Sequence, residues 1–515
     1  MSEVYDLVII GGGINGTALA ALAAENGYRT ALVEKNDFGA GVTSRSTRLI
    51  HGGLRYLEHG QIGVVRESLR EREALLEEFP QQVKPLPFLI PVYQQDSRQR
   101  WWIGAGLEAY HWIGHSRLLA KHRRLTAAQT LETEPGLAAE GLRGGFLYFD
   151  CQAVYPERLA LEMALTAEEH GAEVCNHTPV VRLLHEGGRV SGVQVESGEE
   201  FRARLTVSAA GPWADQVRGM LRGLLPVGAP QRPLLTLVSG AHIVTGAFHG
   251  APQHAVYHEA STDRRPFFLI PWRGLWLIGT TETPYQGEPG SPAPSDAELD
   301  YLLRESNLLF PEAKLDRGSI LYAYAGARPL LHDPSHPAQA ITRDHAIYDH
   351  EKEEGIGGML TLAGGKLTTA RAFAGEALRM AAARLGKPQP VRRPRPRWEA
   401  NGVPGRLAEI YGPRASQIIA LERERPELAR PIAPGGKVTA AEVVHAVSQE
   451  KARTLGDILL RRTGLAFEPG VGREAAVEAA REAAPLLGWD EAGQMAAVDA
   501  YEQELERTLR RGGAP

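Results

Sequence analysis

Sulfur is scarce in this chain, charge is nearly balanced, and long uninterrupted hydrophobic runs are missing. Of 515 residues only two are cysteine. Cys151 and Cys175 form neither a C-x-x-C pair nor a metal-ligand spacing, so dithiol redox chemistry is set aside and two buried thiols in a reducing cytoplasm are expected. A formal net charge of −5 gives no basis for nucleic-acid binding. Residues 7–24 carry no charge, yet the acidic start Met1-Ser2-Glu3-Val4-Tyr5-Asp6 is unlike the basic start of a signal peptide. Gly11, Gly12, Gly13 and Asn15 also suit a membrane helix poorly, so a chain neither exported nor integral to a membrane is expected. There is no solenoid-period repeat and no long low-complexity tract. The length calls for two or three domains.

What is present begins with Leu7-Val8-Ile9-Ile10, a β-branched apolar run short enough for a buried parallel strand. Gly11-Gly12-Gly13-Ile14-Asn15-Gly16 follows and satisfies G-x-G-x-x-G through Gly11, Gly13 and Gly16. An alanine-rich helix over 17–25, a stop at Gly27 and a strand over 30–33 ending in Glu34 complete the unit. In this context the motif specifies a dinucleotide. Gly11 permits the tight turn, Gly13 lets a pyrophosphate approach the backbone, and Gly16 lets helix and strand pack closely. The helix N-terminus offers unpaired N–H groups and a positive dipole end, and Glu34 can accept from a ribose hydroxyl. Gly104-Ala105-Gly106-Leu107-Glu108-Ala109 imitates the spacing among tryptophans with no strand before it and is discounted. With one nucleotide motif only, a flavin here would take electrons directly from its substrate.

The motif alone does not separate NAD from FAD. After Glu34 comes Thr43-Ser44-Arg45-Ser46-Thr47-Arg48-Leu49-Ile50-His51-Gly52-Gly53-Leu54-Arg55-Tyr56-Leu57-Glu58, a hydroxyl-rich loop running into a His-Gly-Gly turn and an Arg-Tyr pair. Further on stand Ile278-Gly279-Thr280-Thr281, Gly326-Ala327-Arg328-Pro329, Ile341-Thr342-Arg343-Asp344 and Gly364-Gly365-Lys366-Leu367-Thr368-Thr369. Together, in this order and across most of the chain, these stretches resemble the FAD-dependent glycerol-3-phosphate dehydrogenases of respiratory type, within the flavoproteins that include D-amino-acid oxidase and glycine oxidase. The resemblance implies oxidation of sn-glycerol 3-phosphate to dihydroxyacetone phosphate, with hydride passing to FAD and electrons to a membrane quinone. Oxygen as acceptor, or another small anionic hydroxy or amino acid as substrate, stays open. So does a flavin-binding protein with a structural or sensory role.

The fold class expected is an α/β FAD-binding Rossmann-like domain, a mixed or antiparallel β-sheet substrate domain and a C-terminal all-α domain. The FAD-binding domain takes residues 1–80, 150–230 and 350–386, and the substrate domain 81–149 and 231–349. A proline- and arginine-rich linker covers 387–398, extended by its prolines. A helical domain of structural role (packing, dimerisation or covering the main body) takes 399–515. Helices are expected over 61–79, 156–169, 296–309 with Ser295 as N-cap, and 368–385. Residues 84–92, with their alternating prolines, suggest an extended segment near a sheet edge.

The resemblance implies cofactor contacts at Gly11, Gly13, Ile14, Asn15, Gly16, Glu34, Thr43, Ser44, Ser46, Val180, Ala210, Gly211, Trp213, Gly365, Lys366, Leu367 and Thr368. In the turn Ser208-Ala209-Ala210-Gly211-Pro212-Trp213, Ser208 and Ala210 replace the family's usual Asn and Thr. Backbone contacts are expected there rather than side-chain ones. Arg55, Arg328 and Lys366 are the phosphate-binding candidates, since Arg supplies a bidentate fork and Lys a point charge. Any one of them alone would more often be an ordinary surface or ion-paired residue. His51 is the general-base candidate, because a neutral imidazole accepts a proton near pH 7; Arg328 could instead orient the hydroxyl. Arg328 and Lys366 also count as catalytic candidates, with Tyr56 and Thr281 as further substrate contacts. Glu282 stands where the family usually has Asp and is left unassigned.

One stretch stands apart. Residues 101–124 join Trp101, Trp102, Tyr110 and Trp112 to Arg117, Lys121, Arg123 and Arg124. Such a segment suits the headgroup level of an anionic membrane surface, while Gly104, Gly106 and Gly114 argue against a continuous helix. Peripheral attachment to the inner face of the cell membrane is the expectation.

Overall fold

The computed structural model describes residues 4–58, 60–224, 232–333, 345–391, 400 and 402–511. The segment 341–344 and most of the linker lie outside these. Packing divides the chain into two units: Met1–Ser44, Tyr155–Leu237 and Arg328–Leu505 form the first, and Arg45–Val154, Val238–Ala327 and Glu506–Pro515 the second. The stretch 45–80, read from sequence with the FAD-binding domain, thus packs in the second unit, and the helices up to Leu505 pack with the first.

The first unit is built on a sheet whose strands run His345–Asp349, Met359–Gly364, Glu200–Ser208, Tyr5–Ile10, Thr30–Val33, Glu173–Cys175 in spatial order. All neighbours are parallel except the first pair. Leu7, Val8 and Ile9 are fully buried, as a strand covered on both faces requires. The covering helices Pro156–Glu169 and Ala370–Leu385 each pack against the helix Ile14–Glu25. Alanines at 18, 20, 21, 23 and 24 permit that close approach. A hairpin of Val180–Glu186 and Arg189–Val195 extends one strand antiparallel.

The C-terminal helices of this unit are fastened by buried charge. Asp37 accepts from Arg461 Nε at 2.7 Å and Arg462 Nη2 at 2.9 Å. Arg158, on the helix Pro156–Glu169, pairs in bidentate fashion with Glu450. Asp457 accepts from Arg461 at 2.8 Å and bonds His177 Nε2 at 2.8 Å. Burial disfavours charge on His177, but the hydrogen bond and charge of Asp457 outweigh it and raise the imidazole above its ordinary value.

The second unit holds an eleven-stranded sheet in the order Arg510–Arg511, Ile320–Leu331, Leu235–Thr245, Leu275–Gly279, Pro266–Trp272, Ala255–Glu259, Val83–Tyr93, Leu142–Ala153, Leu49–Ile50. Two short strands pair alongside this path. The helix Asp296–Leu309 packs its Leu299, Leu302 and Leu303 into this unit's core, and Ser295 caps it through a reciprocal bond with Glu298.

Four local expectations change. Val83–Tyr93 is interior, pairing along its length with Leu142–Ala153. Pro85, Pro87 and Pro91 share one strand edge by the two-residue period, and the neighbour there pairs only at Phe88 and Leu89. Arg100–Gly114 is one unbroken helix despite its glycines. A Cβ on Gly104 would come within 3.3 Å of the Phe146 ring, so tertiary packing outweighs propensity there. Tyr110 is buried, whereas Trp101 and Trp112 are 67% and 62% exposed. At 100° per residue Trp101 and Trp112 fall on one helix face and Tyr110 on the opposite one. Cys175 is half-buried rather than buried. Burial pushes the Cys151 and Cys175 thiols up to about 12 and about 11, away from thiolate reactivity.

Candidate active site

In the first unit the cofactor candidates gather at the carboxyl ends of the parallel strands. The strand Tyr5–Ile10 lies between Thr30–Val33 and Glu200–Ser208, the kind of crevice that takes a nucleotide. Gly11 donates to Val33 and Ala209 to Ile10, each at 2.8 Å, which locks the two loops side by side. Gly11 has φ +109°, and a Cβ there would lie 2.7 Å from the Ala209 carbonyl. A Cβ on Gly16 would lie 1.9 Å from the Gly11 carbonyl, so only glycine lets helix and strand meet.

Glu34 accepts from Gly12 N–H at 2.6 Å and Asn36 N–H at 2.8 Å. Burial raises its carboxyl, and those two donors oppose the rise. Ile14 N–H donates to Thr43 Oγ1 at 3.1 Å, leaving the first-turn N–H groups of Asn15 and Gly16 as the helix end a diphosphate would meet. Asn15 Nδ2 donates to the Gly364 carbonyl at 3.3 Å, while its Oδ1 is buried with no hydrogen-bond partner among the described residues. The turn holding Gly365, Lys366, Leu367 and Thr368 is thereby brought against the glycine motif. Gly211 and Trp213 sit on the turn after Glu200–Ser208, where Lys35 Nζ lies 3.9 Å from the Trp213 ring centre. Thr178 N–H donates to the Glu34 carbonyl at 2.7 Å, and Val180 follows two residues after Thr178. The glycine cradle, the acid at the strand end and the orphaned Asn15 oxygen fit an FAD. Ser44 belongs to this unit, Ser46 to the second.

Arg328 and Lys366 also belong to the first unit; both are half-buried. His51, Arg55, Tyr56 and Thr281 belong to the second. His51 opens a turn held from behind. Gly52 N–H donates to Tyr110 Oη at 2.7 Å, and the Tyr110 hydroxyl faces both oxygens of Asp150 at 2.9 Å. Arg72 completes the chain to Asp150 at 2.5 Å. Gly53, at φ +73°, turns the chain so that the ring of Tyr56 lies beneath it. Tyr56 packs with Val65, Leu69 and Tyr110. The Thr281 hydroxyl accepts from Ala241 N–H at 2.8 Å and donates to Glu298 at 2.7 Å. That hydroxyl ties the helix Asp296–Leu309 to the sheet. Arg55 lines an apolar cavity.

Residues that sequence reasoning did not single out hold these turns. Tyr110, Asp150 and Arg72 support the His51 turn. His242 bonds Thr47 Oγ1 through Nε2 at 2.9 Å and stacks on Tyr324, whose hydroxyl donates to the Ser46 carbonyl at 2.8 Å. No local pattern marks these residues, since their partners are 40–278 positions away.

Comparison with known proteins bears on both parts of the chain. Residues 6–371 match the family model described as FAD dependent oxidoreductase, and residues 375–494 match the C-terminal domain of alpha-glycerophosphate oxidase. A glycerol-3-phosphate dehydrogenase of Synechocystis sp. is 40% identical over 90% of this chain and 90% of its own. One from Mycobacterium leprae is 35% identical over 95% of this chain and 86% of its own. The crystal structure of the glycerol-3-phosphate dehydrogenase from Bacillus halodurans complexed with FAD superposes with TM-score 0.79 at 27% identity, covering 98% of this chain and 95% of that one.

Proposed function

Because the chain belongs to the FAD-dependent glycerol-3-phosphate dehydrogenases, we propose that it oxidises sn-glycerol 3-phosphate to dihydroxyacetone phosphate and passes the electrons to a lipid-soluble quinone. The observation that carries this reading is the glycine-lined strand end fitted to FAD in a chain whose relatives share that name over nine-tenths of its length. Bound FAD supplies a ring that accepts two electrons as a hydride. The protein's own residues do the rest. His51, on the turn fixed by Tyr110, takes the proton of the C2 hydroxyl as the C2–H bond gives up its pair and the C2=O bond forms. Arg328 and Lys366 hold the phosphate by charge-assisted hydrogen bonds.

Among the described residues no helix is long and apolar enough to cross a membrane. Peripheral contact is the reading favoured by the exposed face of the helix Arg100–Gly114. Trp101, Trp102 and Trp112 stand out on it, and exposed Arg117, Lys121, Arg123 and Arg124 follow in the chain. Each cation near an anionic surface contributes about 1 kcal/mol.

Anaerobic addition of glycerol 3-phosphate to the holoenzyme should bleach the flavin absorbance. Arg328→Ala or Lys366→Ala should weaken glycerol 3-phosphate by about 1.5–3 kcal/mol more than glycerol. Equal losses for both substrates would remove these residues from the phosphate site, and an unbleached flavin would end the substrate reading.

A further inference from the structure

Three backbone bonds fasten the strand end that carries Glu34 to residues 175–178. Glu34 N–H donates to the Cys175 carbonyl at 2.8 Å, His177 N–H to the Asn36 carbonyl at 2.7 Å, and Thr178 N–H to the Glu34 carbonyl at 2.7 Å. Between them His177 has φ +50°, a left-handed conformation that few residues other than glycine adopt. Such a conformation persists where its surroundings over-determine it. Here the side chain is held as firmly as the backbone: Nε2 bonds Asp457 Oδ2 at 2.8 Å. That oxygen also accepts from the N–H groups of Arg453 and Thr454, at 2.8 and 3.1 Å, while Oδ1 accepts from Arg461 Nη2 at 2.8 Å. One residue thus joins the C-terminal helices to the acid at the nucleotide-binding strand end, entirely within the first unit.

The charges around this imidazole come from three elements. Asp37 follows the strand end, Asp457, Arg461 and Arg462 lie on the segment Asp457–Arg462, and Glu504 on the helix Glu491–Thr508 meets Arg461 Nη1 at 2.8 Å. Lys35 and Lys451 are engaged elsewhere, with Trp213 and Glu168, and Arg453 is exposed. Atoms of Asp37, His177 and Asp457 lie within 4.8 Å of one another, a spacing that would suit a metal ion, but the Arg461 guanidinium already bridges the two acids. Three acids therefore face two arginines, and a protonated His177 balances them. Of these groups the imidazole alone titrates near neutral pH. Burial and Arg461 oppose its charge, and the bond and charge of Asp457, with Asp37 behind them, outweigh both.

We propose that His177 is a positioning residue for the cofactor: its protonated imidazole, anchored on Asp457, holds residues 34–36 so that the Glu34 carboxylate meets the adenosine ribose of FAD. The proposal depends on FAD as cofactor and not on which substrate the flavin oxidises. An imidazole that is better protonated with FAD in place favours FAD binding at low pH. Affinity is full while His177 is protonated and falls as pH rises through its value in the complex.

The probe is FAD, titrated into the full-chain apoprotein and followed by flavin fluorescence from pH 6 to pH 9. The dissociation constant of the wild type should rise about tenfold over that range. His177→Asn suits the left-handed backbone and carries no charge, so it should bind weakly throughout and vary little with pH. His177→Arg, charged at every pH, should stay tight. Calorimetry in two buffers of different ionisation enthalpy counts the protons exchanged on binding. At pH 8 the wild type should take up protons with FAD, and His177→Arg should not. Parallel pH profiles in wild type and His177→Asn overturn the proposal, as does a decline with pH that His177→Arg keeps. Absence of proton uptake by the wild type overturns it as well, and that arm needs no substituted protein to fold.

Discussion

Arg158→Met isolates the buried pair that ties the C-terminal helices to the nucleotide-binding layer. Arg158 Nη1 and Nη2 donate to Glu450 at 2.6 and 2.8 Å, and Nε donates to the Ile410 carbonyl at 3.0 Å. The guanidinium also lies 4.7 Å from the centre of the Tyr411 ring. The two side chains are 1% and 0% exposed. Removing the arginine leaves the Glu450 carboxylate, among the described residues, with His445 Nε2 at 3.4 Å as its remaining ion-pair partner. Breaking one side of such a pair costs about 3–5 kcal/mol, because the remaining charge stays out of water. Arg158→Met with Glu450→Leu removes both charges and should match the wild type within ~1 kcal/mol or exceed it. Urea unfolding followed by far-UV circular dichroism supplies the double-mutant cycle, with a coupling of about 3 kcal/mol expected. Acid sharpens the test. Burial alone would raise the Glu450 carboxyl, but the Arg158 charge and the bonds from His445 and Arg158 hold it well below the carboxylate range. Its contribution is therefore complete above the ordinary value of 4.5 and is lost as pH falls towards the depressed one. A single variant that loses less than ~1 kcal/mol, or a double variant whose loss is the sum of the singles, refutes this account.

Gly13→Ala should fold normally, since its Cβ would meet Thr43 Oγ1 at an ordinary 3.5 Å, yet bind FAD at least tenfold more weakly, about 1.4 kcal/mol, by isothermal titration of the apoprotein. Undiminished FAD affinity would mean the diphosphate does not pass over Gly13. Tyr110→Phe leaves Gly52 N–H and the Asp150 carboxylate without their shared hydroxyl, so thermal unfolding should show a loss of about 1–3 kcal/mol and stopped-flow traces slower flavin reduction. Unchanged reduction would separate this support from the His51 turn. His177 is raised above its ordinary 6.5 in the folded state, so its stabilisation is full below that pH and fades as pH rises through the folded value. The stability difference between wild type and His177→Gln should accordingly shrink on going from pH 6 to pH 9, and a constant difference would show that the Asp457 pair does not titrate.

What could be read from the sequence was what neighbouring residues determine among themselves. The strand, the glycine turn and the helix after it lie within twenty-odd residues, and Gly16 answers a contact only five positions away, at the Gly11 carbonyl. Ser295 with Glu298 is a capping signal complete in four residues, and the helix Asp296–Leu309 begins where that pattern says. The glycines at 104, 106 and 114 argue against the helix that in fact forms; on it Trp101 and Trp112 share an exposed face, since eleven residues bring a helix back to nearly the same angle. Tyr110 does not share that face: its ring packs with Val65 and Leu69, and its hydroxyl bonds Asp150, forty positions on. The proline-marked strand Val83–Tyr93 reads as an edge until the sparsely paired neighbour on its proline side is known. Ala255–Glu259 is only five residues long and went unread. Asp37 carries no local mark at all: its arginines lie 424 and 425 residues away.

That distance matters for anyone who would cut or recombine this protein. The C-terminal segment matches a family model of its own, which invites treating it as a detachable module. The fold sets a different seam. A chain severed near residue 400 would surrender both arginine partners of Asp37, three positions past Glu34, and the partner of Arg158 on a helix beside the glycine motif. The smallest transplantable piece is therefore the helices together with Asp37, Arg158 and His177. Chimaeras that exchange the helices while leaving those three positions to chance should surrender FAD before they lose secondary structure.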